Sequence, residues 1–114
     1  MTSVNDVATA RLGDFAHTRS GDKGNRANIA VIAFDAELYE HLRAHLTEAA
    51  VAEFFRPMSV GAVKRYEMPK IRAFNLVIDD ALAGGASRSL RLDTQGKALG
   101  EAIKELRLPK LGSD

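Results

Sequence analysis

The chain contains no cysteine. That excludes disulfides, a thiolate nucleophile and cysteine-held zinc or iron–sulfur clusters. An excess of charge of one sign is missing too: sixteen lysines and arginines face fifteen aspartates and glutamates, a net charge of +1. Such a balance offers no broad electrostatic attraction for nucleic acid. Long apolar runs are absent as well. The longest strongly apolar stretch, Ile29–Phe34, is far shorter than the roughly 20 residues that a membrane-spanning helix needs. The opening residues, MTSVNDVATARLG, hold no basic region followed by an apolar run, so no secretory signal is read there. The expectation is a cytoplasmic protein with no nucleic-acid or membrane partner.

What is present suits a globular chain. With 114 residues, 46% hydrophobic and 27% charged, one domain can bury a core without covalent staples. Residues 1–10 are small and polar and read as a flexible lead-in, 11–108 as one domain, and 109–114 as a tail. Leu12–His17 reads as a short strand. The apolar stretch Asn28–Phe34 reads as a second strand, apolar on both sides and therefore central in a sheet. Helices are expected to cover one face, and a partner subunit is the simplest cover for the other. Asp35 is placed to cap a helix over Ala36–Leu46, and Thr47 to cap another through Phe55. Val60–Met68 has charges on both sides and reads as an outer strand. Lys70–Leu82 fits both periods; its length and the Gly84–Gly85 stop favour a helix. Ser87–Asp93 alternates as a strand, and Thr94–Leu106 reads as an amphipathic closing helix. The sum is an α+β fold with about four strands and helices mainly on one face.

One stretch is unusually polar: Arg19-Ser20-Gly21-Asp22-Lys23-Gly24-Asn25. Read as an enlarged hairpin loop, it offers two glycines for positive φ and several donors for an anion such as a carboxylate, phosphate or pyrophosphate. A stiff, self-neutralised hairpin is the simpler alternative. A P-loop is ruled out, because Arg91 stands where the first glycine of a motif ending at Gly96-Lys97 would be. No GxGxxG occurs. Gly21–Gly24 has the GxxG spacing of a KH domain, but there the loop joins two helices rather than two strands.

Outside that stretch, His17 lies at its edge and is the imidazole best placed to act as an acid or base there. His41 and His45 sit one helical turn apart with Glu37 before them, a spacing that can hold a metal; among Glu40, Arg43 and Glu48 they read instead as surface residues, and no metal is expected. Asn28 opens the central strand. Ser89 and Arg91 share one side of their strand, and Asn75 interrupts an apolar segment; these three are secondary binding candidates.

Several separated motifs together carry a resemblance. His17-Thr18-Arg19-Ser20-Gly21-Asp22-Lys23-Gly24, Asn28–Ala33, Arg65-Tyr66-Glu67-Met68-Pro69, Phe74-Asn75-Leu76-Val77, Ala81–Gly85, Ser89-Leu90-Arg91-Leu92-Asp93 and Gly96-Lys97 occur in the order found in the AtuA-like domain family. The chain resembles that family from residue 12 to about residue 106. Asn25 stands where the family often has Asp, and Met68 where it often has Leu. The resemblance implies a ferredoxin-like two-layer sandwich. It also implies a setting in catabolism of acyclic terpenoids and related branched acyl-CoA compounds, where the domain forms the end of larger proteins or a separate short one. On that footing the expected role is an accessory, ligand-binding subunit. Its ligand would be a coenzyme A thioester or another anion, held at Arg19, Ser20, Gly21, Asp22, Lys23, Gly24, Asn25 and Asn28. No resident cofactor is expected. Its partner would be a copy of itself or a larger AtuA-like protein. A small hydrolase, lyase or isomerase using His17, and a purely structural oligomerisation domain, are the two rival readings.

Overall fold

A computed structural model of the chain describes residues 9–23, 26–58, 60–80 and 97–111. Its centre is a four-stranded antiparallel sheet in the order β2-β3-β5-β4, made of β2 (Ala16–Lys23), β3 (Arg26–Ala33), β4 (Val63–Met68) and β5 (Ala73–Ile78). A two-stranded ribbon pairs β1 (Thr9–Arg11) with β6 (Arg107–Pro109). Three helices are described: α1 (Ala36–His45), α2 (Glu48–Phe54) and α3 (Lys97–Ile103). The result is the mixed α+β, ferredoxin-like architecture expected from the sequence. No helix among the described residues is long and apolar enough to cross a membrane.

Alternation on β3 and β5 decides which side carries the core. Ala27, Ile29, Val31 and Ala33 of β3 and Phe74, Leu76 and Ile78 of β5 are all buried. They join Tyr39, Leu42, Leu46, Val51, Phe55, Leu99 and Ile103 from the helices in one cluster. Each large side chain buried this way contributes about 1.5–3 kcal/mol relative to exposure. Both caps form as the sequence indicates. The Asp35 carboxylate accepts from the Leu38 N–H at 2.8 Å, and the Thr47 hydroxyl from the Ala50 N–H at 3.0 Å.

Four expectations are corrected. Leu12–His17 is not one strand: Leu12–Asp14 form a 3₁₀ turn before β2 starts at Ala16. The turn is held from outside, because the Leu12 and Gly13 N–H groups donate to the Leu106 and Lys104 carbonyls at 2.8 and 3.0 Å. The polar stretch from Arg19 is not an enlarged loop: β2 stays paired with β3 as far as Lys23 opposite Arg26. Gly21 accordingly takes ordinary extended backbone. The segment after Lys70 is a strand, β5, hydrogen-bonded to β3 on one side and β4 on the other. A short apolar run satisfies both periods, and two available neighbours decide for the strand. Arg72, with φ of 55°, and Asp80, with φ of 58°, bound it. Thr9, Ala10 and Pro109, assigned to the lead-in and tail, lie in the β1–β6 ribbon. The expected strand at Ser87–Asp93 and the Gly84–Gly85 stop lie outside the described residues.

Two contacts join the helices to the sheet edges. Gly100 of α3 lies against β2: the Thr18 hydroxyl donates to the Gly100 carbonyl at 2.7 Å, and the Gly100 N–H donates to the Ser20 hydroxyl at 3.0 Å. At the other edge, the Arg65 guanidinium donates to the Arg43 and Leu46 carbonyls at 3.1 and 2.7 Å, closing the end of α1. It also pairs with Glu67 at 2.8 Å and lies 5.1 Å from the centre of the Phe74 ring.

A Cβ at Gly100 would stand 2.7 Å from Ser20 Oγ and 3.2 Å from the Ser20 backbone nitrogen. Gly100→Ala is therefore expected to cost about 1–3 kcal/mol in urea denaturation. Tyr39 stacks on Phe74 with ring centres 4.8 Å apart, and its buried hydroxyl finds no partner among the described residues. Tyr39→Phe should leave stability at neutral pH unchanged or raised. Burial, aided by Glu67 and Glu40, pushes the Tyr39 phenol above its ordinary 10.0. The stability tied to the neutral phenol is complete below pH 10.0 and is lost as pH rises through the raised value. Denaturation of the two proteins across alkaline pH should show that loss in wild type and a shallower one in Tyr39→Phe.

Candidate functional site

The helices cover one face of the sheet; on the other, no described element packs, and His17, Arg19, Asn28, Lys64 and Tyr66 are exposed. Antiparallel register aligns the residues of this second face in rows across the four strands. One row runs Arg19, Ala30, Asn75, Tyr66, and the next runs Gly21, Asn28, Val77, Lys64. A third runs His17, Ile32, Ala73, Met68. Central strands supply mostly short side chains, and edge strands the long ones. The face is thus a shallow trough whose floor is about 10 Å wide, two strand spacings. Gly21 deepens it locally, since a Cβ there would meet only the Asn28 Oδ1, at 3.8 Å.

The chemistry of the trough is graded along the strands. At one end, Arg26 pairs with Asp79 at 2.8 Å. These two, with Lys64, Tyr66 and Val77, line a depression of about 230 Å³. In the middle, the Asn28 amide nitrogen stands 3.4 Å from the Asn75 amide oxygen. The other end is apolar: Phe34 is 46% exposed, and the His17 ring meets it edge-on at 4.6 Å between centres. Ile71, 61% exposed, lies in the turn joining β4 to β5 at that same end. Arg19 and Lys64 are exposed, and neither has an ion-pair partner among the described residues. Roomier depressions exist beside α2, but there Arg65 is already committed to the α1 carbonyls and the other walls are mostly small residues.

The structure redistributes the sequence candidates. His17, Arg19, Gly21, Asn28 and Asn75 come together on the open face. Ser20 points the other way and holds Gly100. Asp22 and Lys23 continue β2, their backbones opposite Ala27 and Arg26. Gly24, Asn25, Ser89 and Arg91 lie outside the described residues. Sequence reasoning missed Lys64, Tyr66, Arg26 and Asp79. The signal for the first two was period two: Lys64, Tyr66 and Met68 share parity, and Lys64 reads as an interruption only if that face is assumed to be covered. His41 is not a plain surface residue. Its Nε2 lies 2.6 Å from the Pro109 carbonyl and must carry the proton to donate to it, while its ring contacts Phe15 and His45. No cluster of three or more His, Asp or Glu suited to a metal occurs among the described residues.

A family model described as the AtuA ferredoxin-like domain matches residues 10–109. No curated protein and no solved structure matches the chain.

Exposed cations without partners contribute little to folding. Arg19→Ala and Lys64→Ala are each expected to change the unfolding free energy by less than about 0.5 kcal/mol, measured by chemical denaturation.

Proposed function

The chain belongs to the AtuA ferredoxin-like domain family, and from that membership we propose that it is an accessory, ligand-binding domain whose open sheet face receives an anionic group. The observation that carries the reading is Arg19: exposed, without an ion-pair partner among the described residues, and on the same face as Lys64, Tyr66, Asn28 and Asn75. Long cationic chains on the two edge strands can lean over a floor of amides and small residues. Guanidinium and ammonium groups supply charge-assisted hydrogen bonds, and the amides and the Tyr66 hydroxyl fix orientation. The depression at Arg26 and Lys64 is below the roughly 300–1,000 Å³ of pockets that enclose whole ligands. Its donors toward an anionic group are Lys64 and Tyr66, because Arg26 is already paired with Asp79, so it takes an edge of such a group whose remainder lies toward Arg19.

The binding role is read from the cations and amides that share the face, and His17, packed edge-on against Phe34, stands at its apolar end. The setting we assign is the breakdown of acyclic terpenoid or branched acyl-CoA compounds, which rests on the family resemblance and would supply anionic thioesters.

Thermal unfolding in the presence of phosphate, coenzyme A and a branched acyl-CoA tests this. A ligand at 100 times its dissociation constant should add about 2.7 kcal/mol of stability. Arg19→Ala and Lys64→Ala should each lose most of that gain. Gly21→Val, which keeps every charge but raises the floor, should weaken it. Equal stabilisation of all four proteins, or none of wild type, would remove the reading.

A further inference from the structure

The trough has the dimensions of a helix. Its floor spans two strand spacings, about 10 Å, close to the 10–12 Å diameter of a helix with its side chains. It is open along its length and flat rather than enclosing, which is poor for a small ligand but normal for a protein interface. One end offers exposed Phe34 and Ile71 with half-buried Ile32 and Met68 in one row, and Tyr66 stands one row further along, itself 52% exposed. Several exposed large apolar groups at one end of a face are a feature of docking surfaces.

Charge selects among occupants. The walls carry Arg19 and Lys64, and the turn at the apolar end carries exposed Lys70 and Arg72. None of these four has an ion-pair partner among the described residues, whereas Asp79 is already paired with Arg26. A second copy laid on this face would bring the same excess of cations against it. An acidic partner would neutralise them.

We propose that the open sheet face docks an amphipathic helix of another protein, with a stripe of small and aliphatic residues on the trough floor and Asp or Glu along both flanks. The inference rests on the anion-binding reading of this face and names the bearer of the anion as a polypeptide. Flank carboxylates meet Arg19 on one wall and Lys64 on the other. The apolar stripe covers Ala30 and Ile32 and reaches Phe34 and Met68. The two-layer domain becomes three-layered, with β3 and β5 covered on both sides.

The test uses the full chain and three designed peptides of about five helical turns. All share a Leu/Ala stripe; the flanks carry Glu, Gln or Lys. Titration followed by NMR should give shifts for the Glu peptide at Ile32, Phe34, Met68 and Arg19. The Gln peptide should bind roughly tenfold more weakly, and the Lys peptide weaker still. Ala30→Glu, which places a carboxylate on the floor, should abolish binding with the melting temperature kept. Equal affinity for the Glu and Lys peptides, shifts confined to the helix layer, or no binding of the Glu peptide would overturn the proposal. So would sedimentation showing a dimer that Ala30→Glu dissociates. Phosphate or coenzyme A binding that depends on Arg19, without preference for the Glu peptide, would leave the anion site standing and sink the helix partner. Loss of Arg19 dependence in both experiments would sink both.

Discussion

Among the described residues, helices cover β3 and β5 on one side only, and from that constraint the rest of the fold follows. These two strands hold the middle of the sheet, so both their backbone edges are satisfied by neighbours and only their faces remain to be settled. Alternation sends Ile29, Val31, Phe74, Leu76 and Ile78 to one side, where α1, α2 and α3 close over them. At the other parity the described helices cover nothing, and Ala30, Ile32 and Val77 are left half-buried, short enough to make a floor. The open face is therefore a by-product of the same period that builds the core.

The polar stretch around Arg19 divides its work between the two faces. Thr18 and Ser20 turn toward α3 and hold it through the carbonyl and N–H of Gly100, whose missing side chain lets helix and strand touch. Arg19 and Gly21 turn the opposite way, onto the open face. A single alternating segment thus anchors the closing helix and supplies one wall of the trough. The docked helix leads on to β6, whose pairing with β1 brings the two described ends of the chain together. On the far edge Arg65 has a comparable structural task. Its charge is spent on α1 carbonyls and Glu67, which separates it in purpose from its neighbour Lys64.

The trough's character follows from where long and short side chains fall. Edge strands need charge to discourage pairing with other chains. In this protein that charge stands beside a floor of amides and methyl groups, where desolvation by an occupant would strengthen each contact. The apolar end, with Phe34 resting on His17, gives the same surface a second kind of grip. Cationic Lys64 and apolar Phe34 thus stand at opposite ends of one surface.

Local signals in the sequence were reliable where physics is local. The two caps, Asp35 and Thr47, the amphipathic helices they start, the doubly apolar central strand, the charged outer strand and the family resemblance were all legible from neighbouring residues. The nature of Ala73–Ile78 was not, because a short apolar run fits either period and only distant strands to pair with could choose. Nor was the end of β2, since glycine and asparagine advertise a turn without saying how far the pairing runs before it. By itself the sequence determined the family and the α+β class, and it singled out Arg19, Gly21, Asn28 and Asn75 as candidates. Only the tertiary structure decided that these four share a sheet face rather than a loop, that Ser20 holds Gly100, and that Lys64 and Tyr66 stand across that face on β4. The register between strands far apart in the chain sets those neighbours, and no local pattern carries it.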